Sequence, residues 1–148
     1  MKKQVTLRER ALGLLARREH SRAELARKLR AHVAPEDDLE ALLEDLARRK
    51  QLSEERYAES RAHALSRKFG TARIVQELRS KGLDKELAGR AAEAARSTEV
   101  ERARAVWTRK FRGPAQSREE RAKQMRFLQS RGFSFDAIRA VIRGADED

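Results

Sequence analysis

The stretch that decides the fold is residues 71–83, Thr-Ala-Arg-Ile-Val-Gln-Glu-Leu-Arg-Ser-Lys-Gly-Leu, in which a polar start leads into an amphipathic helix that ends at a basic residue and a glycine. A similar arrangement occurs at residues 21–29, Ser-Arg-Ala-Glu-Leu-Ala-Arg-Lys-Leu, and at residues 126–133, Arg-Phe-Leu-Gln-Ser-Arg-Gly-Phe. The corresponding leucines of the three stretches are 49 and 50 residues apart. A period near fifty in a chain of 148 residues indicates three tandem helical units.

The apolar residues around these stretches recur with helical spacing, and no segment shows a sustained strand alternation. We therefore predict an all-α fold of three tandem three-helix repeats that form an elongated, curved array. The repeats are predicted to cover residues 1–52, 53–96 and 97–148. The nine predicted helices cover residues 7–18, 21–31, 35–50, 54–68, 71–80, 85–95, 99–112, 118–130 and 135–143.

Local signals set the predicted helix starts. Ser21, Thr98 and Ser117 each precede a glutamate by three positions, which predicts a capping box at each. Pro35 precedes three acidic residues, and this order is typical of a first helical turn.

Glycines mark two of the predicted helix ends. Gly82 and Gly132 each follow a basic residue and precede an apolar one, which predicts left-handed caps with an apolar contact behind them. The linkers near residues 51–53 and 96–98 are short, so we expect nearly continuous helices to join the units.

The composition indicates the kind of partner. The net charge is +11, from 35 Lys and Arg against 24 Asp and Glu, and the excess is spread over all three units. A repeat array offers a long surface and seldom a deep pocket, so a binding protein is favoured over an enzyme. An extended basic surface is typical of proteins that bind a polyanion or an acidic protein.

The sequence lacks the residues that a metal site, a phosphate-binding loop or a membrane-spanning segment would need. Cysteine is absent, and His20, His32 and His63 show no metal-binding spacing, so we predict no metal. The sequence has neither a glycine-rich phosphate loop nor a run of about 18 apolar residues, and we predict no cofactor and no membrane contact. We expect a non-enzymatic, cytoplasmic monomer.

Tyr57 and Trp107 are candidates for base stacking, because unpaired bases stack on aromatic side chains. Trp107 lies on an apolar helical stripe with Ala103 and Phe111, and we interpret both Trp107 and Tyr57 as core residues.

The sequence also carries a family resemblance. Residues 11–21, Ala-Leu-Gly-Leu-Leu-Ala-Arg-Arg-Glu-His-Ser, resemble the opening motif of the RecX family, bacterial regulators of the RecA recombinase. Residues 46–58, 68–70 and 74–83 resemble the middle repeat of that family, and unit three, with residues 110–111 and 127–134, resembles its last repeat. The chain departs from the family pattern at Gln51, where a glycine often precedes the apolar residue, and at His20, where an aromatic is usual.

The resemblance implies a modulator of RecA. A member of this family would lie along the groove of the RecA filament on single-stranded DNA and would suppress recombinase, ATPase and co-protease activity. Composition and spacing do not name RecA; they indicate an extended basic surface.

Two sets of basic residues are the candidate contacts for RecA or DNA, because guanidinium groups grip phosphates and carboxylates and lysines add point charge. The first lies in the third repeat, where residues 102–131 hold ten basic residues against two acidic ones. Its members are Arg102, Arg104, Arg109, Lys110, Arg112, Arg118, Arg121, Lys123, Arg126 and Arg131. The second set lies in the middle repeat and comprises Arg67, Lys68, Arg73, Arg79 and Lys81.

Two other functional classes stay open. A helix-turn-helix regulator would read duplex DNA directly, with the turn at residues 18–21 presenting a recognition helix to the major groove. A DNA-processing hydrolase would need clustered carboxylates and a metal, whereas the adjacent acidic pairs of this chain stand at helix starts.

Overall fold

The computed structural model describes residues 4–147, and in that range the chain forms nine α-helices and no strand. Unit one contains α1 to α3, unit two α4 to α6, and unit three α7 to α9. The helices are α1 (Leu7–Arg17), α2 (Arg22–Leu29), α3 (Leu39–Arg48), α4 (Glu54–Leu65), α5 (Thr71–Ser80), α6 (Lys85–Glu93), α7 (Glu99–Lys110), α8 (Arg118–Ser130) and α9 (Phe135–Glu147). Short 3-10 helices follow α2 and precede α7.

Each unit has its own apolar core. Leucines from all three helices fill unit one, and unit two is built around the buried Ile74 and Leu78 with a floor of alanines. In unit three, Leu128 packs with aliphatic residues of α9. The prediction of an all-α chain of three three-helix units is confirmed.

The helix bounds agree with the sequence prediction at α5 and α8 and differ elsewhere. The predicted start at Pro35 is wrong, because the Asp37 carboxylate accepts a hydrogen bond from the amide of Ala34 at 2.8 Å and closes a turn there. Asp38 then caps α3, which begins four residues later than predicted. Helix α9 continues past residue 143 to Glu147.

Two of the three predicted side-chain caps, at Ser21 and Ser117, are confirmed. Ser21 and Ser117 each accept a hydrogen bond at 3.1 Å from the amide three residues on. Thr98 does not cap α7, because its hydroxyl donates to the carbonyl of Ala95 within the preceding 3-10 turn. The glycine caps are confirmed, with φ of 90° at Gly82 and 85° at Gly132.

The link between units one and two turns through a residue that is not glycine. Lys50 has a φ of 63°, and the amides of Gln51 and Leu52 both donate to the carbonyl of Leu46. Lys50 therefore adopts the left-handed conformation that ends α3. The next residue, Gln51, is the position at which the RecX family often has a glycine. A side chain in this conformation costs about 1 kcal/mol relative to glycine.

Replacing Lys50 by glycine is expected to raise the free energy of unfolding by about 1 kcal/mol, because glycine adopts positive φ without a steric penalty. Urea denaturation followed by helicity measures the change. Lys50→Ala, which keeps the steric penalty and removes the charge, is the control, and a gain of equal size in that variant would contradict the explanation.

The turn between α1 and α2 is built around a buried histidine. His20 is 1% exposed; its Nδ1 lies 3.0 Å from the carbonyl of Arg18, and its Nε2 lies 2.9 Å from Nζ of Lys28. Lysine is a donor, so Nε2 is the acceptor and Nδ1–H donates to the carbonyl. Burial lowers the pKa of His20, and the positive charge of Lys28 adds to this. Beside it, hydrogen bonds from Arg18 lower the pKa of Glu24 to about 2.

The free energy of unfolding is expected to fall as the pH is lowered from about 7 to 5.5, below the ordinary histidine pKa of about 6.5. The folded pKa of His20 is depressed, so in this window the unfolded chain binds more protons than the folded chain, and stability rises with pH. His20→Phe should lose most of this dependence, as measured by denaturation at each pH. An unchanged slope in the variant would assign the effect to other groups.

Two buried or half-buried glutamates join successive units. Glu54, the first residue of α4, accepts a hydrogen bond from the amide of Arg22 at the start of α2. Glu99, the first residue of α7, accepts one at 2.9 Å from the amide of Thr71 at the start of α5. The first helical residue of units two and three therefore accepts a hydrogen bond from an otherwise free amide at the start of the second helix of the unit before it.

Candidate binding interface at the junction of units two and three

Units two and three meet at two glycines. The amide of Gly70 donates to the carbonyl of Arg131 at 2.8 Å, and a Cβ built on Gly70 would lie 2.5 Å from Cα of Phe133. A Cβ on Gly132 would lie 2.5 Å from the backbone nitrogen of Arg73. Main chain therefore packs directly on main chain, and neither glycine leaves room for a side chain.

Arg102 of α7 joins unit three to unit two at the same junction through hydrogen bonds. Its guanidinium donates to the carbonyls of Ser66, Phe69 and Ala95, at 2.8, 2.5 and 2.7 Å. Burial lowers its pKa, and the nearby carboxylate of Glu99 opposes this effect. The Nε–H of Arg102 donates to the hydroxyl of Thr98, and its other N–H groups donate to main-chain carbonyls, so Arg102 stabilises the junction. Its predicted contact with RecA or DNA stays a prediction.

Six of the predicted contact residues come together around the glycines, and we call them the basic junction. Its members are Arg67, Lys68, Arg73, Arg109, Lys110 and Arg131. Arg109 donates to the carbonyl of Arg67 at 3.2 Å, which joins the end of α4 to the end of α7. Members of both predicted sets, three from unit two and three from unit three, thus lie on one surface.

Two phenylalanines organise the cations of the basic junction. The guanidinium of Arg131 lies 5.6 Å from the ring centroid of Phe69 and 5.2 Å from that of Phe127. Nζ of Lys110 lies 5.6 Å from the Phe127 ring, and the guanidinium of Arg73 lies 4.8 Å from the Phe69 ring. These cation–π contacts hold the positive groups in place and leave the N–H groups of Lys110 and Arg131 for a ligand. Arg73, by contrast, also donates to Glu77 and to the carbonyl of Ser130.

Few carboxylates neutralise this surface. Arg73 pairs with Glu77 at 3.1 Å, while the other five members form no ion pair with any residue between 4 and 147. Arg67, Lys68, Arg109 and Lys110 are exposed, and Arg131 is half-buried. Preorganised, unpaired cations on a rigid junction suit phosphates or carboxylates of a partner.

The other predicted contact residues of unit three are dispersed. Arg121 pairs with Asp146 at 2.6 Å, and Arg104 faces α9 beside Gly144. Arg112 and Lys123 line a separate cavity of about 500 Å³ between α8 and the loop before it. Arg118 and Arg126 are exposed on α8.

In unit two, Arg79 and Lys81 lie at the opposite end of α5 from the basic junction, about 14 Å along the helix axis. Lys81 lines the groove between units one and two together with Tyr57. These two residues therefore do not belong to the basic junction.

The aromatic residues considered for base stacking lie in or against the cores. Tyr57 is 5% exposed, which confirms its assignment to the core. Trp107 packs against the core of unit three, and its Nε1–H donates to the side chain of Gln124 at 3.0 Å. The aromatic residues that do bear on the interface are Phe69 and Phe127, which the sequence analysis did not single out. The signal that marks them is a basic residue immediately before each phenylalanine and a glycine one to five residues after it.

Within residues 4–147, no cluster of three or more histidines or carboxylates has the spacing of a metal site. No helix in the same range is long and apolar enough to cross a membrane.

Each of the three units matches a domain of a known protein family. Residues 8–46 match the first three-helix domain of RecX, residues 53–91 the second, and residues 97–142 the third. The regulatory protein RecX of Leptothrix cholodnii is 51% identical over 145 residues, which cover 98% of this chain and 92% of that protein. The regulatory protein RecX of Ralstonia nicotianae is 46% identical over 142 residues, covering 96% of this chain and 89% of that protein.

Solved structures show the same fold. The crystal structure of RecX from Lactobacillus salivarius superposes with a TM-score of 0.82 over 96% of both chains, at 24% sequence identity. Domain matches across all three units and identities near one half over almost the full length establish the family, and this chain belongs to the RecX regulatory proteins.

Proposed function

We propose that this protein binds the RecA recombinase and its filament on single-stranded DNA, and that it inhibits recombinase, ATPase and co-protease activity without catalysing a reaction itself. The basic junction is the proposed contact surface. The observation that carries the proposal is the meeting of unpaired cations from units two and three, in a chain whose relatives are named regulatory proteins.

The rigidity of the junction supports this role. The glycine contact and the Arg102 hydrogen bonds fix the distance between the ends of α4 and α7, so the cations need no reordering when a ligand arrives. Preorganisation of this kind reduces the entropy cost of binding. A filament repeats its acidic groups at fixed intervals, and a rigid set of cations matches a repeating target better than a mobile one.

The charge of the site predicts its salt dependence. If the basic junction contacts DNA phosphates, affinity falls in proportion to the logarithm of the salt concentration, with a slope set by the number of phosphates neutralised. If it contacts carboxylates of RecA, the dependence is shallower, because protein carboxylates carry no condensed counterions.

The test is ATP hydrolysis by RecA on single-stranded DNA as this protein is titrated in, with filament length followed in parallel by electron microscopy. We expect suppression at protein concentrations below that of RecA, accompanied by shorter or more slowly growing filaments. Unchanged hydrolysis at excess protein would refute the proposal.

The direct DNA-binding alternative gives a different outcome in the same experiment. A protein that only competes for DNA would suppress hydrolysis in proportion to the DNA it covers, and extra single-stranded DNA would restore the activity. A helix-turn-helix reader would also prefer one duplex sequence over others, which a panel of labelled duplexes detects.

A further inference from the structure

Unit one contains a concave site far along the chain from the basic junction. A cavity of about 450 Å³ opens between α1 and the end of α2. Its lining residues are Arg10, Gly13, Leu14, Arg17, Lys28, Leu29 and His32. The set combines three cations and a histidine with an apolar floor, and none of its members is a carboxylate.

The cations of this cavity are largely uncompensated. Arg10 and Arg17 are exposed on α1 and form no ion pair with any residue that the structure describes. Lys28 is held in place by Nε2 of His20 at 2.9 Å and lies 4.0 Å from the carboxylate of Glu24. The cavity rim therefore keeps a net positive charge, because Glu24 offsets only Lys28 and no ion pair within the described residues offsets Arg10 or Arg17.

The floor of the cavity is apolar and has space above it. Leu29 is fully buried and Leu14 is half-buried, so both are fixed by the core of unit one. Gly13 lies in the middle of α1, where a Cβ would meet nothing within 4 Å. Glycine is the least favourable residue of a helix interior after proline, and here its absent side chain leaves the floor open.

We propose that this cavity binds an acidic peptide segment that carries an apolar side chain, supplied by a partner protein. The apolar side chain would rest on the half-buried Leu14 in the space that Gly13 leaves open, and carboxylates on either side would pair with Arg10, Arg17 and Lys28. Charge complementarity selects this ligand, because a phosphodiester chain would satisfy the cations and leave the apolar floor unused. The site is separate from the function proposed for the basic junction.

The binding test uses the full chain and no RecA, so its outcome is independent of the proposed function. Two fluorescein-labelled 12-residue peptides of alternating Asp and Glu are compared by anisotropy: one has a central Phe-Leu pair, and the other has Ser-Ser in its place. We expect the apolar peptide to bind at least about tenfold more tightly, the equivalent of burying one or two large side chains in part.

Three variants locate the site. Gly13→Leu fills the opening and also improves helix propensity, so the variant should stay folded and lose about tenfold in affinity. Arg10→Glu with Arg17→Glu should lose a similar factor or more. Arg27→Glu with Arg30→Glu changes the net charge equally on exposed positions of unit one outside the cavity, and it is the matched control, with an expected change below about threefold.

Three outcomes would overturn the proposal: no binding of either peptide at millimolar concentration, equal binding of both peptides, or equal losses in the cavity variants and the control. A single-stranded oligonucleotide that displaces the apolar peptide, with the same sensitivity to Gly13→Leu, would replace the acidic peptide by nucleic acid as the ligand. Circular dichroism of each variant confirms that affinity changes do not come from unfolding.

Discussion

Gly70→Ala is expected to lower the free energy of unfolding by about 3 kcal/mol, the upper part of the range for overpacking a tightly fitted site. Gly70 has a φ of −79° and a ψ of 171°, a conformation that alanine adopts without strain. The whole cost therefore comes from the methyl group, which would overlap the backbone of Gly132 and Phe133. Main-chain atoms cannot rotate away as a flexible side chain can, so units two and three must separate to admit it.

The matched control is Gly89→Ala. Gly89 lies inside α6, where a Cβ meets nothing within 4 Å, and the substitution should raise the free energy of unfolding by about 0.5–1 kcal/mol. Urea denaturation of both variants measures the two changes, and helicity in the absence of urea reports whether the helices survive. Equal effects of the two substitutions would show that the glycine contact does not hold the units together.

Reversing the charges of Arg109 and Lys110 to glutamate is expected to raise the amount of protein needed to inhibit RecA by about thirtyfold, equivalent to about 2 kcal/mol. Both side chains are exposed, and the structure gives Arg109 a single hydrogen bond, to the carbonyl of Arg67. The variant should therefore keep its helicity and melting temperature. The measurement is the midpoint of the RecA ATPase titration at two salt concentrations.

Lys85→Glu with Arg90→Glu is the control for this reversal. Both residues are exposed on α6 in unit two, away from the basic junction, and the net charge changes by the same amount. We expect its midpoint to move by less than about threefold. A midpoint that shifts equally in both variants would assign inhibition to net charge, and a midpoint that shifts in neither would remove the basic junction from the contact surface.

The sequence predicted those parts of the fold that depend on local chemistry. Helix α8 begins after its predicted Ser117 cap, α5 and α8 both end at the basic residue before a glycine, and both glycines adopt the predicted left-handed conformation. The predicted start of α3 is wrong, because the same local sequence can either begin a helix or close a turn. Pro35 followed by acidic residues resembles a helix start, yet the Asp37 carboxylate closes a turn in that position.

The binding surface depends on contacts that no local pattern contains. Arg67 and Arg109 are neighbours because Gly70 and Gly132 allow two backbones to touch, and this contact joins positions 62 residues apart. Arg102 resembled its basic neighbours in sequence, and only its position against the carbonyls of unit two distinguishes it from them. The binding roles of the individual basic residues, and the repeat boundaries 1–52, 53–96 and 97–148, stay predictions.

The glutamates that open α4 and α7 have a consequence for the order in which the chain folds during synthesis. The amide of Arg22 can bond to the carboxylate of Glu54 only after residue 54 has left the ribosome, and the amide of Thr71 can bond to Glu99 only after residue 99 has done so. Chains emerge from the amino terminus at about 5–20 residues per second, so each of these two amides is synthesised roughly 1–6 seconds before its acceptor. The growing chain therefore completes units one and two with the first turn of the next unit, and these two units acquire their last cap in order from the amino-terminal end.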